Sequence, residues 1–315
     1  MLSHGEENNV TPLRIRITEV GPRDGLQNER RIISTEAKVR YINALSESGV
    51  AEIEAGSFVS ARAVPQLSDS DEVFKKLERR AGVVYSALVP NEKGLERAFT
   101  AEVNKIAIFT AASDTFSQRN IHCTVQESIE RFKAVVSRAK QGRMAVRGYI
   151  STVTHCPFEG KVSASRVVEV MRELLELGVD EISLGETIGK AAPNDVRRLL
   201  DEVKLHIGQA ALSVHFHDTY GMAIANVLTA WMEYGVTSFD TSAGGVGGCP
   251  YAPGASGNVA TEDVVYALKA SGASVVVDER LVVNAARQLG GELNHPLSSR
   301  LSRLNEYQTR YEAVT

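Results

Sequence analysis

His215 and His217 stand one residue apart in the run LSVHFHDTYG, and they are two of only seven histidines in the chain. In a strand, alternate side chains share a face, so the two imidazoles project together while Phe216 faces the other way. Such a pair can grip a metal, or the two rings can simply hydrogen-bond at a strand end. What decides between these readings is whether other residues supply the missing ligands. Asp24, next to Arg23 in GPRDGLQNE, is a natural third ligand. Glu54 in VAEIEAGSF and Glu186 in EISLGETIG add carboxylates, and AGGVGGCPYAPGASGN carries one thiol, Cys249, and one amide, Asn258. Each has a plainer reading: Asp24 and Arg23 as a surface ion pair, Glu54 as the buried partner of Arg23, Cys249 as a small buried hydrophobe. The glycine-rich stretch either moves or approaches something closely. One carboxylate, two imidazoles and an amide oxygen make a hard, mixed N/O set suited to Mg²⁺ or Mn²⁺; zinc would lack the thiolates of a structural site. Open positions on such an ion would let a substrate chelate through a hydroxyl and a neighbouring carbonyl or carboxylate oxygen.

These residues are far apart, so a fold must gather them. Eight β-rich runs recur: RIRITEV, VAEIEAGSF, VVYSALVP, KIAIFTAA, AVRGYISTV, EISLGETIG, LSVHFHDTYG and TSFDTSAGG. Between them, segments such as SASRVVEVMRELLELG place apolar residues at helical spacing and carry Ser or Gly at their ends. Eight β/α units over about 250 residues predict an α/β fold, a (β/α)8 barrel, whose chemistry sits at the carboxyl ends of the strands. All the candidates fall there. A doubly wound open sheet is the alternative, but the first turn, GPRDGLQNE, is charged and lacks a GxGxxG fingerprint. Further helices, TEDVVYALKASG and ERLVVNAARQLGGEL, follow the eighth unit. The expected division is a flexible tail over 1–12, the barrel over 13–258 and additional C-terminal helices over 259–315.

Composition narrows the partners. A net charge of −4 with interspersed signs argues against nucleic acid, and no apolar stretch is long enough to span a bilayer. The polar start, MLSHGEENNVTP, resembles neither a signal peptide nor a transit peptide, so a cytoplasmic protein is expected. Cys123, Cys156 and Cys249 show no paired spacing, which leaves only single-thiol chemistry.

Taken together, GPRDGLQNE, IEAGSFVSARAVPQ, VRGYISTVTHCPFEGK, VHFHDTYG and GGVGGCPYAPGASGNVATED closely resemble the 3-hydroxy-3-methylglutaryl-CoA lyase family, metal-dependent lyases with a TIM barrel. The HxHD element alone is shared with isopropylmalate synthases and pyruvate carboxyltransferase domains; GGCPY with a downstream GASGN is the specific signature. The resemblance implies that Asp24, His215, His217 and Asn258 are the metal ligands. It makes Arg23 a catalytic electrophile, Glu54 a supporting acidic residue and Cys249 a loop thiol needed for activity. Arg23, Gln27 and Glu186 are expected on the substrate side. The implied reaction cleaves an acyl-CoA: Asp24 or His215 takes the proton of a tertiary hydroxyl, a carbon–carbon bond breaks, Arg23 stabilises the acetyl-CoA enolate and Cys249 helps protonate it. A homodimer or higher homo-oligomer is expected. Glu186 departs from the pattern, because the family usually has Asp there; this leaves the acyl group open and makes a sister lyase for another 3-hydroxyacyl- or citramalyl-type thioester the first alternative. Ala243-Gly244 also replaces Val-Ala, and the tail lacks a cysteine found in some animal relatives. A Claisen-condensing acyltransferase is the alternative from another reaction class.

Overall fold

Strands and helices alternate as the apolar patterning predicts, in a computed structural model that describes residues 14–248 and 257–304. The expected tail over 1–12, Cys249 and the end of the chain lie outside the described residues. The strands are β1 (Arg16–Glu19), β2 (Glu52–Ser57), β3 (Val84–Leu88), β4 (Lys105–Ala111) and β5 (Ala145–Ser151), then a short antiparallel ribbon of β6 (His155–Cys156) and β7 (Gly160–Lys161), then β8 (Glu181–Glu186), β9 (Ala211–Phe216) and β10 (Ser238–Thr241). All but the ribbon pair in parallel, in chain order, into a closed barrel. Closure falls between β10 and β1, where Arg16 faces Ser238 and Glu19 faces Thr241. A closed sheet leaves no unpaired edge.

The connecting helices begin where the sequence supplies caps. Ser34, Asn91, Ser113, Thr124 and Ser163 each accept a backbone N–H three residues on, opening α1 (Thr35–Ser46), α3 (Glu92–Thr100), α4 (Asp114–Ile121), α5 (Val125–Gln141) and α6 (Ala164–Glu176). Each cap stabilises its helix by about 1 kcal/mol. The ring is completed by α2 (Ser70–Lys76), α7 (Pro193–Val203), α8 (Ala223–Tyr234) and α9 (Thr261–Ala270). α9 follows β10 in the chain, beyond residue 258, the boundary expected from sequence. α10 (Glu279–Leu293) packs on both α1 and α9, and a turn of helix follows it.

Strand alternation sorts the side chains into two cores. In AVRGYIS, Val146 and Gly148 face the helices, where Gly148 sits against Leu174 and Ile182. Arg147 and Tyr149 point into the barrel. That interior is polar: Arg147 donates to Asp240 Oδ1 (2.9 Å), Glu181 Oε1 (2.6 Å) and Thr18 Oγ1 (3.0 Å), and Lys105 bridges Glu52 (2.7 Å) and Glu181. All of these groups are buried. Removing one partner from such a network leaves an uncompensated buried charge, at a cost of about 3–5 kcal/mol. The network forms the rigid floor under the carboxyl-end residues.

Candidate active site

The first catalytic candidates sit on an unusual turn. After β1 the chain winds through one turn of π-helix, Gly21–Gly25, in which the N–H groups of Arg23, Asp24 and Gly25 all point to the Val20 carbonyl (3.1, 2.7 and 3.2 Å). π-turns of this kind re-aim side chains at functional sites. Gly21 is required for packing, since a Cβ there would lie 2.7 Å from Glu19 Oε1 and 3.0 Å from Ser242 Oγ. The turn delivers Arg23 and Asp24 over the barrel mouth.

Arg23 is held on two sides. Its Nε and Nη2 donate to the two oxygens of Glu54 (2.7 and 3.2 Å), and its Nη1 donates to Asp24 Oδ1 (2.7 Å). Glu54, on β2, also accepts the Tyr149 hydroxyl (2.6 Å), so both its oxygens are engaged. Burial works against the guanidinium charge, but Glu54 and Asp24 outweigh it and push the Arg23 pKa up. Three of the five N–H groups of a guanidinium are thus spent on positioning, which leaves two for a substrate.

His215 and His217 point together into the mouth, their Nε2 atoms 3.1 Å apart. Asp24 joins them: one ligand atom from each of the three lies within 4.8 Å of the others, the only such group among the described residues. Behind His215, Asp240 Oδ2 stands 3.6 Å from Nδ1, an ion-pair distance. Burial opposes charge on His215, but Asp240 and Asp24 outweigh it and raise its pKa; His217, buried beside His215, is pushed down to about 4 and is neutral. For Asp24, burial is outweighed by Arg23, both histidines and the Asn258 amide, and the carboxyl falls below its ordinary range. Asn258 bridges to His217 through the backbone and donates its Nδ2 to Asp24 Oδ2 (2.9 Å), while its Oδ1 is buried without a partner. A carboxylate, two imidazoles and an orphaned amide oxygen, converging from three segments, fit a hard divalent cation.

The other candidates divide. Gln27 donates to Asp24 Oδ1 (3.0 Å) and lines a cavity of about 850 Å³ together with Arg23, Asp24, His215 and His217. Glu186 is not on that wall. It pairs in register with outward-facing Phe216, and its Oε1 accepts the Lys190 N–H (3.1 Å) behind the strand, whereas Gly185 and Thr187 on either side line the cavity. The substrate-side position expected for it is therefore taken by its neighbours. The glycine stretch makes a close approach: at Gly247, with φ at 133°, a Cβ would lie 2.7 Å from Asn258 Nδ2. Gly248 accepts the Asn28 amide (2.7 Å) at the cavity rim, and Cys249 follows it in the chain. Sequence reasoning passed over Tyr149, Arg147 and Asp240. The signal was there in AVRGYIS, where an arginine and a tyrosine share the inward phase of an otherwise apolar strand.

The fold and site define a (β/α)8 barrel with a carboxylate–imidazole cluster that could hold a cation and an adjacent buried arginine at the carboxyl rim. The chain belongs to the HMGL-like family, whose model matches residues 14–289. It is 49% identical to the hydroxymethylglutaryl-CoA lyase of Pseudomonas mevalonii, over 91% of this chain and 95% of the relative. It is 46% identical to the 3-hydroxy-3-isohexenylglutaryl-CoA/hydroxy-methylglutaryl-CoA lyase of Pseudomonas aeruginosa, over 93% and 97%. Among solved structures, an HMG-CoA lyase from Acinetobacter baumannii in complex with coenzyme A and 3-methylmalate superposes with a TM-score of 0.87 at 40% identity, over 92% of this chain and 94% of that one.

Proposed function

We propose that this protein is a divalent-metal-dependent carbon–carbon lyase that cleaves 3-hydroxy-3-methylglutaryl-CoA to acetyl-CoA and acetoacetate. The observation that carries the reading is the convergence of Asp24, His215 and His217 beside a buried arginine with donors to spare. The names of relatives more than 45% identical over nearly the whole chain support the substrate. Asp24, His215, His217 and Asn258 would hold Mg²⁺ or Mn²⁺, which would supply Lewis-acid polarisation of the substrate's oxygens and lower the pKa of its tertiary hydroxyl.

The residues of the chain divide the remaining work. Asp24 or His215 takes the hydroxyl proton; both stand at the ligand group, and both Asp24 oxygens already accept hydrogen bonds, from Arg23 and Gln27 at Oδ1 and from Asn258 at Oδ2. Collapse to the ketone then breaks the bond between C2 and C3, giving acetoacetate and the enolate of acetyl-CoA. Arg23 turns its two remaining N–H groups to the enolate oxygen. Held by Glu54 and Asp24, it pays no reorganisation cost as charge develops. Cys249 delivers a proton to the enolate carbon; its position directly after the rim residue Gly248 supports this role. The test is incubation with Mg²⁺ and the thioester. Acetoacetate and acetyl-CoA should form in equal amounts, and a chelator should stop their formation. No cleavage at saturating metal overturns the reading.

A second reading is favoured by one feature of the cavity. Val59, Leu88 and Phe109 form an apolar wall against Tyr149, next to Arg23 and Glu54. Such a wall suits a larger alkyl group on C3, as the name of the Pseudomonas aeruginosa relative describes for that enzyme. Comparing kcat/KM for the methyl substrate and a longer C3 homologue separates the two. Glu186 gives no reason to prefer either, since it faces away from the cavity.

A further inference from the structure

Glu19 is the last residue of β1 and fully buried, and it touches neither the cavity nor any cation ligand. Its carboxylate nevertheless meets three segments that do. Oε1 accepts the N–H of Gly21 (2.9 Å), at the start of the turn that carries Arg23 and Asp24. The same oxygen accepts the N–H of Ala243 (2.9 Å), where the chain leaves β10 for the glycine stretch. Oε2 accepts the hydroxyl of Thr261 (2.6 Å), three residues after Asn258, where the chain re-enters the ring as α9.

The Asn258 amide joins the same segments at the cavity, donating to Asp24 Oδ2 (2.9 Å) and to Val246 O (3.2 Å), and Glu19 joins them beneath it. The turn and the re-entry come from positions 234 residues apart, and they meet at the cavity in the Asp24–Asn258 hydrogen bond. The main chain adds Val20 N–H to Thr241 O (2.8 Å), Ser242 N–H to Val259 O (3.1 Å) and Thr261 N–H to Ser242 O (3.1 Å). A buried carboxyl group with three hydrogen-bond partners has one orientation available, since losing any of them leaves an unpaired polar group in the core.

We propose that Glu19 is a positioning residue: by pinning Gly21, Ala243 and Thr261 to one carboxylate, it sets the separation of Asp24 and Asn258 and so the shape of the cation site. The proposal rests on the metal reading given above. Outer residues that orient metal ligands typically change affinity by about 10–100-fold when removed. An isosteric amide keeps the clamp, because Gln can accept both N–H groups through its oxygen and donate its NH₂ to the Thr261 hydroxyl, which can turn to Thr241 Oγ1 at 2.7 Å.

The test measures Mn²⁺ binding to the protein alone by electron paramagnetic resonance, with folding followed by circular dichroism. Glu19→Ala should bind Mn²⁺ at least about tenfold more weakly while remaining folded, with kcat lowered and KM for the thioester within about threefold. Glu19→Gln should recover most of the affinity. Wild-type Mn²⁺ affinity in a folded Glu19→Ala protein overturns the proposal. Should Glu19→Ala fail to fold, Thr261→Val removes one contact and leaves the carboxylate in place. It should weaken Mn²⁺ binding several-fold, and unchanged affinity there is equally fatal. Wild-type protein that binds no Mn²⁺ would refute the metal reading but not the clamp. The clamp is then judged by amide exchange at Arg23, Asp24 and Gly25, which should quicken in Glu19→Ala or Thr261→Val; unchanged exchange sinks it.

Discussion

The hydroxyl of Tyr149 donates to Glu54 Oε2 at 2.6 Å, and the same carboxylate grips Arg23 through both its oxygens. The Arg23 guanidinium also lies over the Tyr149 ring, 5.6 Å from its centroid. Arg23 is therefore a planar fork fixed from two directions, with Glu54 as its holder. Arg23→Lys keeps the charge and loses the fork, and turnover should fall by roughly 10²-fold or more with metal affinity nearly unchanged. Near-normal turnover in this variant would exclude the enolate role.

His217→Ala removes a neutral imidazole from the ligand group and exposes Asp24 and His215 to a partly vacant site. Affinity for Mn²⁺ should drop by about tenfold or more, read directly by titration without any turnover. A histidine that is not a ligand would leave the binding curve in place.

Cys249→Ser tests the thiol. If it delivers the final proton, turnover should fall by about 10²-fold, because a hydroxyl is a far weaker acid, while metal and thioester binding persist. Alkylation should likewise inactivate, and bound substrate should slow it. Cys156 is buried and off the cavity wall, so its replacement serves as the control, whereas Cys123 lines the cavity. Full activity of the serine variant would remove the acid role.

Glu19 also carries a pH signature. Burial pushes its carboxyl up from 4.5 to about 8, against the lowering effect of the Thr261, Ala243 and Gly21 hydrogen bonds, with nearby Glu262 adding to the rise. Below about 4.5 folded and unfolded chains both hold the proton; between about 4.5 and about 8 only the folded chain does. Stability from this group is thus greatest in acid, declines as pH rises through that window and levels off above it. Glu186, raised by burial to about 7, slopes the same way. Denaturant unfolding at pH 6 and 8.5 should show Glu19→Gln losing less stability than wild type over that interval, by an amount on the order of 1 kcal/mol or more. Equal losses in the two proteins would place the Glu19 pKa near its ordinary value.

Arg147 anchors the barrel floor through Asp240, Glu181 and Thr18. Arg147→Met should cost about 3–5 kcal/mol in denaturant unfolding, since it strands buried carboxylates. A loss below about 1 kcal/mol would show that the interior repacks without it.

The barrel itself was legible in the chain. Eight apolar runs with helical segments between them specify β/α units, because strand and helix periodicities are local properties, and Ser34, Asn91, Ser113, Thr124 and Ser163 mark the helix starts through contacts only three residues long. Asp24, His215 and His217 were likewise readable, since residue type and alternation say which face a side chain takes. How α9 and α10 pack was not legible, because the glycine stretch separates them from β10 and only the tertiary structure brings α10 against both α9 and α1. Glu186 shows the same limit at a single residue: being acidic at a strand end does not say whether the last side chain faces inward, and its register with Phe216 turns it away. Tyr149, Asp240 and Glu19 become parts of a site only through neighbours distant in sequence. Their roles depend on hydrogen bonds made after the barrel closes, and those are set by register and burial, which no local pattern encodes.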